Sequence, residues 1–279
     1  MISQRLSAPR MRALLGSVAA GIGVLLAGTV YAAPVVVTYN PAAALLSGTQ
    51  FTADKLNVLD FARVDLTGPA TGGGTNFVES GFLQLVTTSL NNVTTTPTGL
   101  NSTYSLYYSF SGTGVQNASN FNTASTGTFS TLTYQLLGAN GTTAFGINGA
   151  NQPFATGAAT TIIATGSLIS GSTSFLVNAP GSCNNTSGIC DSPGASVAAT
   201  VVKVIPTFYL SPTGTFQLNA AFNNDANIVN VIPPGAFTLN GGGGDATVGL
   251  VPVPEPSTMA VLGFGLLGLG LAYRKRQSR

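Results

Sequence analysis

The sequence predicts an all-β body, a β-sandwich or jelly-roll-like domain, carried between an N-terminal signal-peptide helix and a single C-terminal transmembrane helix. Three observations lead there. Apolar and polar residues alternate with period two over many short segments. No long stretch carries the 3.6-residue period of an amphipathic helix. Clusters of Gly, Asn, Pro and Ser, such as Gly72–Gly74, Asn140-Gly141 and Asn148-Gly149-Ala150-Asn151, punctuate the alternating segments.

Taken in chain order, Arg5, Arg10 and Arg12 form a basic leader and Ala13–Val30 is apolar and uncharged. Val30-Tyr31-Ala32 then places small residues where a signal peptidase requires them, so residues 1–32 read as a secretory signal peptide, cut after Ala32 or its neighbour Ala33. The body begins with a strand over Pro34–Tyr39. Pro41–Leu46 offers a turn of helix. Strands follow at Val58–Leu66 and Phe77–Thr87. The clearest alternations are Tyr104, Leu106, Tyr108 and Phe110 against Ser105, Tyr107 and Ser109, and Leu132, Tyr134 and Leu136 against Thr131, Thr133 and Gln135. Thr160–Leu168, Ser174–Val177, Ala198–Ile205, Phe216–Ala220 and Asn227–Val231 complete a set of about ten short strands, the pattern of a sandwich over residues 33–239. Asn240–Pro252, Gly-rich and ended by proline, reads as a linker.

Residues 253–279 are a third kind of segment. Pro254 and Pro256 cannot sit inside a helix, so a helix starts after them, with Ser257 or Thr258 as its cap. Ser257–Tyr273 carries no charge and spans roughly 25 Å as a helix, the short end of what crosses a bilayer core. Arg274, Lys275, Arg276 and Arg279 form a basic stop that stays in the cytoplasm by the positive-inside rule.

Removing both ends changes the charge. The whole chain carries +2, but the body holds three basic side chains (Lys55, Arg63, Lys203) against seven acidic ones (Asp54, Asp60, Asp65, Glu79, Asp191, Asp225, Asp245). A nucleic-acid partner is excluded on this ground, because neutralising phosphates requires clustered Lys and Arg. Solubility has to come from the hydroxyls and amides of an Asn-, Ser- and Thr-rich surface. Cys183 and Cys190 lie close in the chain, and in an oxidising compartment their simplest fate is a disulfide, whose short loop stabilises by about 2.5 kcal/mol. The chain has no histidine, so a metal site is not expected, nor any cofactor.

The same lack of histidine removes the usual base for a Ser or Cys nucleophile. A Ser–Lys pair could use only Lys55 or Lys203, and Lys203 sits at a solvent-facing position of a strand pattern. Asp60, Asp65 and Glu79 are candidates for paired-carboxylate chemistry on a glycan. Asp60 and Asp65 fall on opposite strand faces, however, and Arg63 between them favours a surface ion pair. There is no tryptophan to stack on a sugar. The Asn240–Asp245 run nearly matches one copy of a calcium-binding glycine-aspartate repeat, and one imperfect copy cannot build a calcium roll. Thr131 and Thr133 supply a single Thr-x-Thr pair for an ice- or surface-binding face.

Val253-Pro254-Glu255-Pro256-Ser257-Thr258, the Gly/Leu-rich segment and the basic tail resemble the PEP-CTERM sorting signal of Gram-negative, exopolysaccharide-producing bacteria. The resemblance implies recognition of Pro254, Glu255 and Pro256 by an exosortase, a transient membrane anchor, and release to the cell surface or matrix. In the body, Asn40–Ala44, Phe51–Lys55, Glu79–Leu83 and Tyr104–Phe110 resemble flocculation-associated proteins of that group. This implies a non-enzymatic surface or matrix protein that supports floc or biofilm formation, through exopolysaccharide or self-association. An exported polysaccharide-acting enzyme and an ice- or surface-binding protein are the alternatives.

Overall fold

A computed structural model describes residues 35–117, 125–175, 194–223, 228–232 and 235–251, all within one compact unit. The segments expected to form the two terminal helices, both cysteines and the expected sorting tail lie outside them. The elements are β1 (Val37–Tyr39), a 3-10 turn at Pro41–Ala44, β2 (Phe51–Ala53), β3 (Lys55–Pro69), β4 (Thr75–Leu90), β5 (Val93–Thr95), β6 (Tyr104–Gln116), β7 (Ser125–Asn140), β8 (Ala144–Ile147), β9 (Pro153–Thr156), β10 (Thr160–Phe175), β11 (Gly194–Lys203), a second 3-10 turn at Pro206–Phe208, β12 (Tyr209–Ser211), β13 (Phe216–Asn223), β14 (Ile228–Ile232) and β15 (Ala236–Leu250).

The all-β expectation holds, but the architecture is a barrel. Strands β3, β4, β6, β7, β10, β11, β13 and β15 pair antiparallel, each with the next in the chain. β15 then pairs with β3 along one edge (Ala236 with Asp65 to Ala246 with Leu56) and with β13 along the other (Gly243 with Asn223 to Leu250 with Phe216). Eight strands thus close into an up-and-down barrel with no free edge in the ring. A sandwich buries one face of each sheet against a second sheet; here the single sheet buries its face against itself.

Period two sorts the side chains. On β3, Val58, Asp60, Ala62 and Val64 point inward; on β4, Phe77, Glu79, Gly81, Leu83 and Leu85; on β6, Leu106, Tyr108 and Phe110. Leu132, Tyr134 and Leu136 of β7, Val197, Ala199 and Val201 of β11, and Phe216, Leu218 and Ala220 of β13 complete the wall. The outward positions are mostly Ser, Thr, Asn and Gln. A membrane-spanning barrel has the reverse pattern, apolar outside and polar within. Among the described residues, no helix is long and apolar enough to cross a membrane.

One end of the barrel is plugged. The small sheet β12–β1–β2 brings Tyr39 onto Phe51 (ring centroids 4.9 Å apart), Phe208 and Tyr209, and Tyr209 onto Phe216 (5.5 Å). The turn at Pro41–Ala44 is held down by Asn140, whose Nδ2 donates to the Leu45 carbonyl and whose Oδ1 accepts from the Ser47 amide, both at 2.9 Å. On the outside wall the β8–β9 hairpin covers a second aromatic group. Phe145 stacks on Phe61 (5.6 Å) and meets the edge of Tyr107 (5.1 Å).

The expected linker is a correction. Asn240–Leu250 belongs to β15, which pairs with β3 through Ala246 and with β13 from Gly243 to Leu250. Its glycines answer to geometry. Gly241, at φ +83°, forms a bulge between Asn240 and Gly242 that keeps the strand in register with β3. At Gly244 a Cβ would run into the Phe222 ring and the Ala221 carbonyl of β13. A Gly244→Val substitution should therefore destabilise the domain by about 1–3 kcal/mol, as overpacking does. A flexible linker would show no change in denaturant midpoint.

Candidate functional site

Two features of the barrel can bind something: its lumen and one stretch of its outer wall. The lumen contains a cavity of about 60 Å³. Tyr108, Phe110, Phe129, Leu132, Tyr134, Leu218, Phe237 and Leu239 make its wall mainly apolar, and Asp60, Glu79 and Thr173 place polar atoms on it. Asp60 and Glu79 are 3% and 8% exposed. Both were expected on the surface. They are inside because each shares the inward parity of its strand, Asp60 between Val58 and Ala62, Glu79 between Phe77 and Gly81. That signal was present in the sequence. It was masked because the outward positions Leu59 and Phe61 are also apolar, so both faces of the segment look buried.

Burial dominates the chemistry of this pair. Desolvation, and after it the nearby charge of Asp60, push the Glu79 carboxyl from an ordinary 4.5 up to about 8. Glu79 is therefore held protonated at neutral pH. Burial also raises the phenols of Tyr108 and Tyr134, and Tyr134 donates to the Thr200 carbonyl at 2.8 Å. No lining residue of the cavity is basic.

All three basic side chains of the body lie elsewhere. Arg63 and Asp65 face outward as expected and form a two-pronged ion pair, Nε to Oδ2 at 2.7 Å and Nη2 to Oδ1 at 2.6 Å; Arg63 Nη1 also donates to the Asn151 carbonyl beside the β8–β9 turn. Lys55 pairs with Asp245 at 3.2 Å across the β3–β15 seam, which ties the aspartate of the glycine run to a strand. Lys203 is partly covered. It lies 3.7 Å from the centre of the Phe216 ring and donates to the Gly214 carbonyl at 2.9 Å. Burial lowers its pKa.

The outer wall of β6, β7, β10 and β11 is a field of hydroxyls. Ser111 stands beside Thr133, and Thr133 beside Ser167; Thr128 stands beside Ser172, and Ser172 beside Ser196. Thr113 and Thr131 touch through their hydroxyls at 2.8 Å, Ser167 and Thr200 at 3.3 Å. A shallow groove of about 480 Å³ crosses this wall, with Ser109, Thr133, Gln135, Thr165, Ser167 and Thr200 in its lining and no ionised side chain. One Thr-x-Thr pair along β7 gave little hint of it, because the field is assembled across strands.

The expected sorting residues Pro254, Glu255 and Pro256, the basic residues Arg274, Lys275, Arg276 and Arg279, the expected cleavage residues Ala32 and Ala33, and the expected Cys183–Cys190 disulfide all lie outside the described residues. Comparison with known families bears on the first two groups. Residues 252–276 match the PEP-CTERM protein-sorting motif. No curated protein and no solved structure matches the chain. The motif marks an exported protein that is sorted by an exosortase through a transient C-terminal anchor.

The raised Glu79 carboxyl has a thermodynamic consequence. Between pH 4.5 and 8 the folded chain holds a proton at Glu79 that the unfolded chain releases, so stability falls as pH rises through this window. With no histidine to titrate there, unfolding free energy should drop by a few kcal/mol from pH 5 to pH 9. In Glu79→Gln the decline should flatten, leaving the variant more stable than the parent at pH 9. Urea melts at the two pH values measure both.

Proposed function

We propose that this is a non-enzymatic surface or matrix protein whose barrel binds exopolysaccharide through the hydroxyl wall, and that this binding supports floc or biofilm formation after the sorting tail has delivered the barrel outside the cell. The observation that carries the reading is the groove on the β6–β7–β10–β11 wall. Hydroxyls and amides spaced across neighbouring strands, about 4.8 Å apart, exchange hydrogen bonds with sugar hydroxyls without charge. The same neutral wall suits a neutral glycan better than an acidic one. Self-association through that wall is the competing partner.

Two features support the non-enzymatic part. Among the described residues, Asp60 and Glu79 are the carboxyls that share one cavity; both are buried, and a cavity of about 60 Å³ is far smaller than a sugar ring needs. The groove is lined by hydroxyls and amides; its one titratable side chain among the described residues, Tyr134, is raised by burial and donates to the Thr200 carbonyl, and no carboxyl or amine stands there to act as acid or base. The shape of the wall weighs against ice as the partner, since a flat lattice demands a flat face and a closed barrel curves.

The test is co-sedimentation of the secreted protein with the host's exopolysaccharide. Wild type should pellet with it equally in 0.05 and 1 M salt, because no charges are screened. Thr133→Glu and Ser167→Glu, which place charge in the groove, should weaken pelleting at least tenfold without changing the melting temperature much. Unchanged pelleting of both variants overturns the assignment, and concentration-dependent dimers lost in the same variants would assign the wall to self-association. In cells, replacing Pro254-Glu255-Pro256 by alanines should leave the protein in the membrane fraction, read by immunoblot.

A further inference from the structure

We propose that the barrel lumen is a binding site for a compact primary ammonium ion with a short hydrocarbon body. The site is built from separate strands. Asp60 comes from β3, Glu79 from β4 and Thr173 from β10, and all three line one cavity. Thr173 is 4% exposed and its Oγ1 is buried without a hydrogen bond. A buried hydroxyl left in that state costs on the order of 1–3 kcal/mol. It stands on the same cavity as the two acids, so a guest with hydrogen bonds to give would satisfy it.

The chemistry of the guest follows from the lining. An ammonium group has three N–H donors and one positive charge; the cavity offers two carboxyl groups and a hydroxyl, and no basic side chain. Bare hard cations want six or more oxygen ligands, which this lining does not supply. The remaining wall is aromatic and aliphatic, and includes the Tyr108 and Tyr134 rings, a surface suited to a hydrocarbon stem and, through cation–π attraction, to a cation. Size sets the last limit. The cavity offers roughly five times the room that one water centre needs, so the guest has about four or five non-hydrogen atoms.

Charge couples the guest to Glu79. Beside Asp60 in an apolar wall, its ionised form is disfavoured, and a positive guest reverses that preference. The proton that Glu79 holds at neutral pH is then released on binding, so affinity rises with pH through the range where empty Glu79 titrates. An alkylammonium stays charged throughout, since its pKa is near that of a lysine, about 10.4. The other titratable groups on the cavity, the phenols of Tyr108 and Tyr134, are raised by burial and stay neutral there.

The experiment titrates the secreted, tail-processed protein with n-butylammonium, 1-butanol and butyrate, following tyrosine fluorescence, which is unobscured because the chain has no tryptophan. Saturable one-to-one binding of butylammonium is expected, at least tenfold tighter than butanol, with butyrate not binding. Affinity should increase at least threefold from pH 6 to pH 8.5. Glu79→Gln should lose at least tenfold in affinity while folding normally, and Thr173→Val severalfold. Absence of saturable binding, equal binding of butanol, or an unaffected Glu79→Gln each overturns the proposal. Equal binding of butanol would mean a plain apolar void, and an unaffected variant would place the amine elsewhere.

Discussion

Everything in this domain depends on the two ladders made by its last strand. Seven strands, β3 to β13, form a sheet through local hairpin-like pairings, but such a sheet has two raw edges and an apolar face with nothing opposite it. β15 removes both problems at once by bonding to β3 and β13. The requirement is strict, because a strand paired on both sides inside a tight ring has little room for side chains where the walls approach. The glycine run Gly241–Gly244 meets that requirement, with a bulge at Gly241 and a bare Cα against Phe222. What composition presents as a flexible tether is the seam that closes the barrel.

This explains which parts of the fold were legible. Tyr104–Phe110, Leu132–Leu136 and Phe216–Ala220 show clean alternation because one face of each meets the lumen and the other meets water; each lies within a strand, β6, β7 and β13, that extends beyond it. Alternation reports that a face is buried; it does not report what lies opposite. A sandwich and a barrel therefore write the same pattern, and the difference rests on the β3–β15 pairing between opposite ends of the chain. The short elements at Phe51–Ala53, Val93–Thr95, Ala144–Ile147 and Pro153–Thr156 escaped for a related reason: each is three or four residues long and is held by contacts from elsewhere, such as Phe145 on Phe61, and not by its own periodicity.

The candidate sites divide in the same way. Arg63 and Asp65 could be read locally because their partnership is two residues long. The hydroxyl wall could not, since Ser111, Thr133 and Ser167 become neighbours only through the β6–β7–β10 register. Asp60 and Glu79 are the sharpest case. A barrel this poor in charge places two of its acids in the lumen, where they cost stability at neutral and alkaline pH. Packing alone would have been served better by two apolar residues. Their placement together on one cavity, whose lining includes none of the three basic side chains of the body, is the arrangement from which the lumen site is inferred.

The order of segments along the chain joins the fold to its delivery. The closing strand ends at Leu250, the Val251 amide is still bonded to the Thr215 carbonyl, and the sorting motif begins at residue 252. At the other end, the Val35 amide donates to the Val248 carbonyl, so the first described residue is bonded to that same closing strand. The Pro254-Glu255-Pro256 signature therefore lies beyond the last ladder bond, and a cut there removes no pairing from the barrel. A cut only a few residues earlier would fall within the β13–β15 ladder and reopen the sheet edge that β15 covers. The placement of the motif immediately after β15 gives a handle that can be removed whole, and the two prolines make the boundary firm, because neither can extend the strand ladder with a backbone donor.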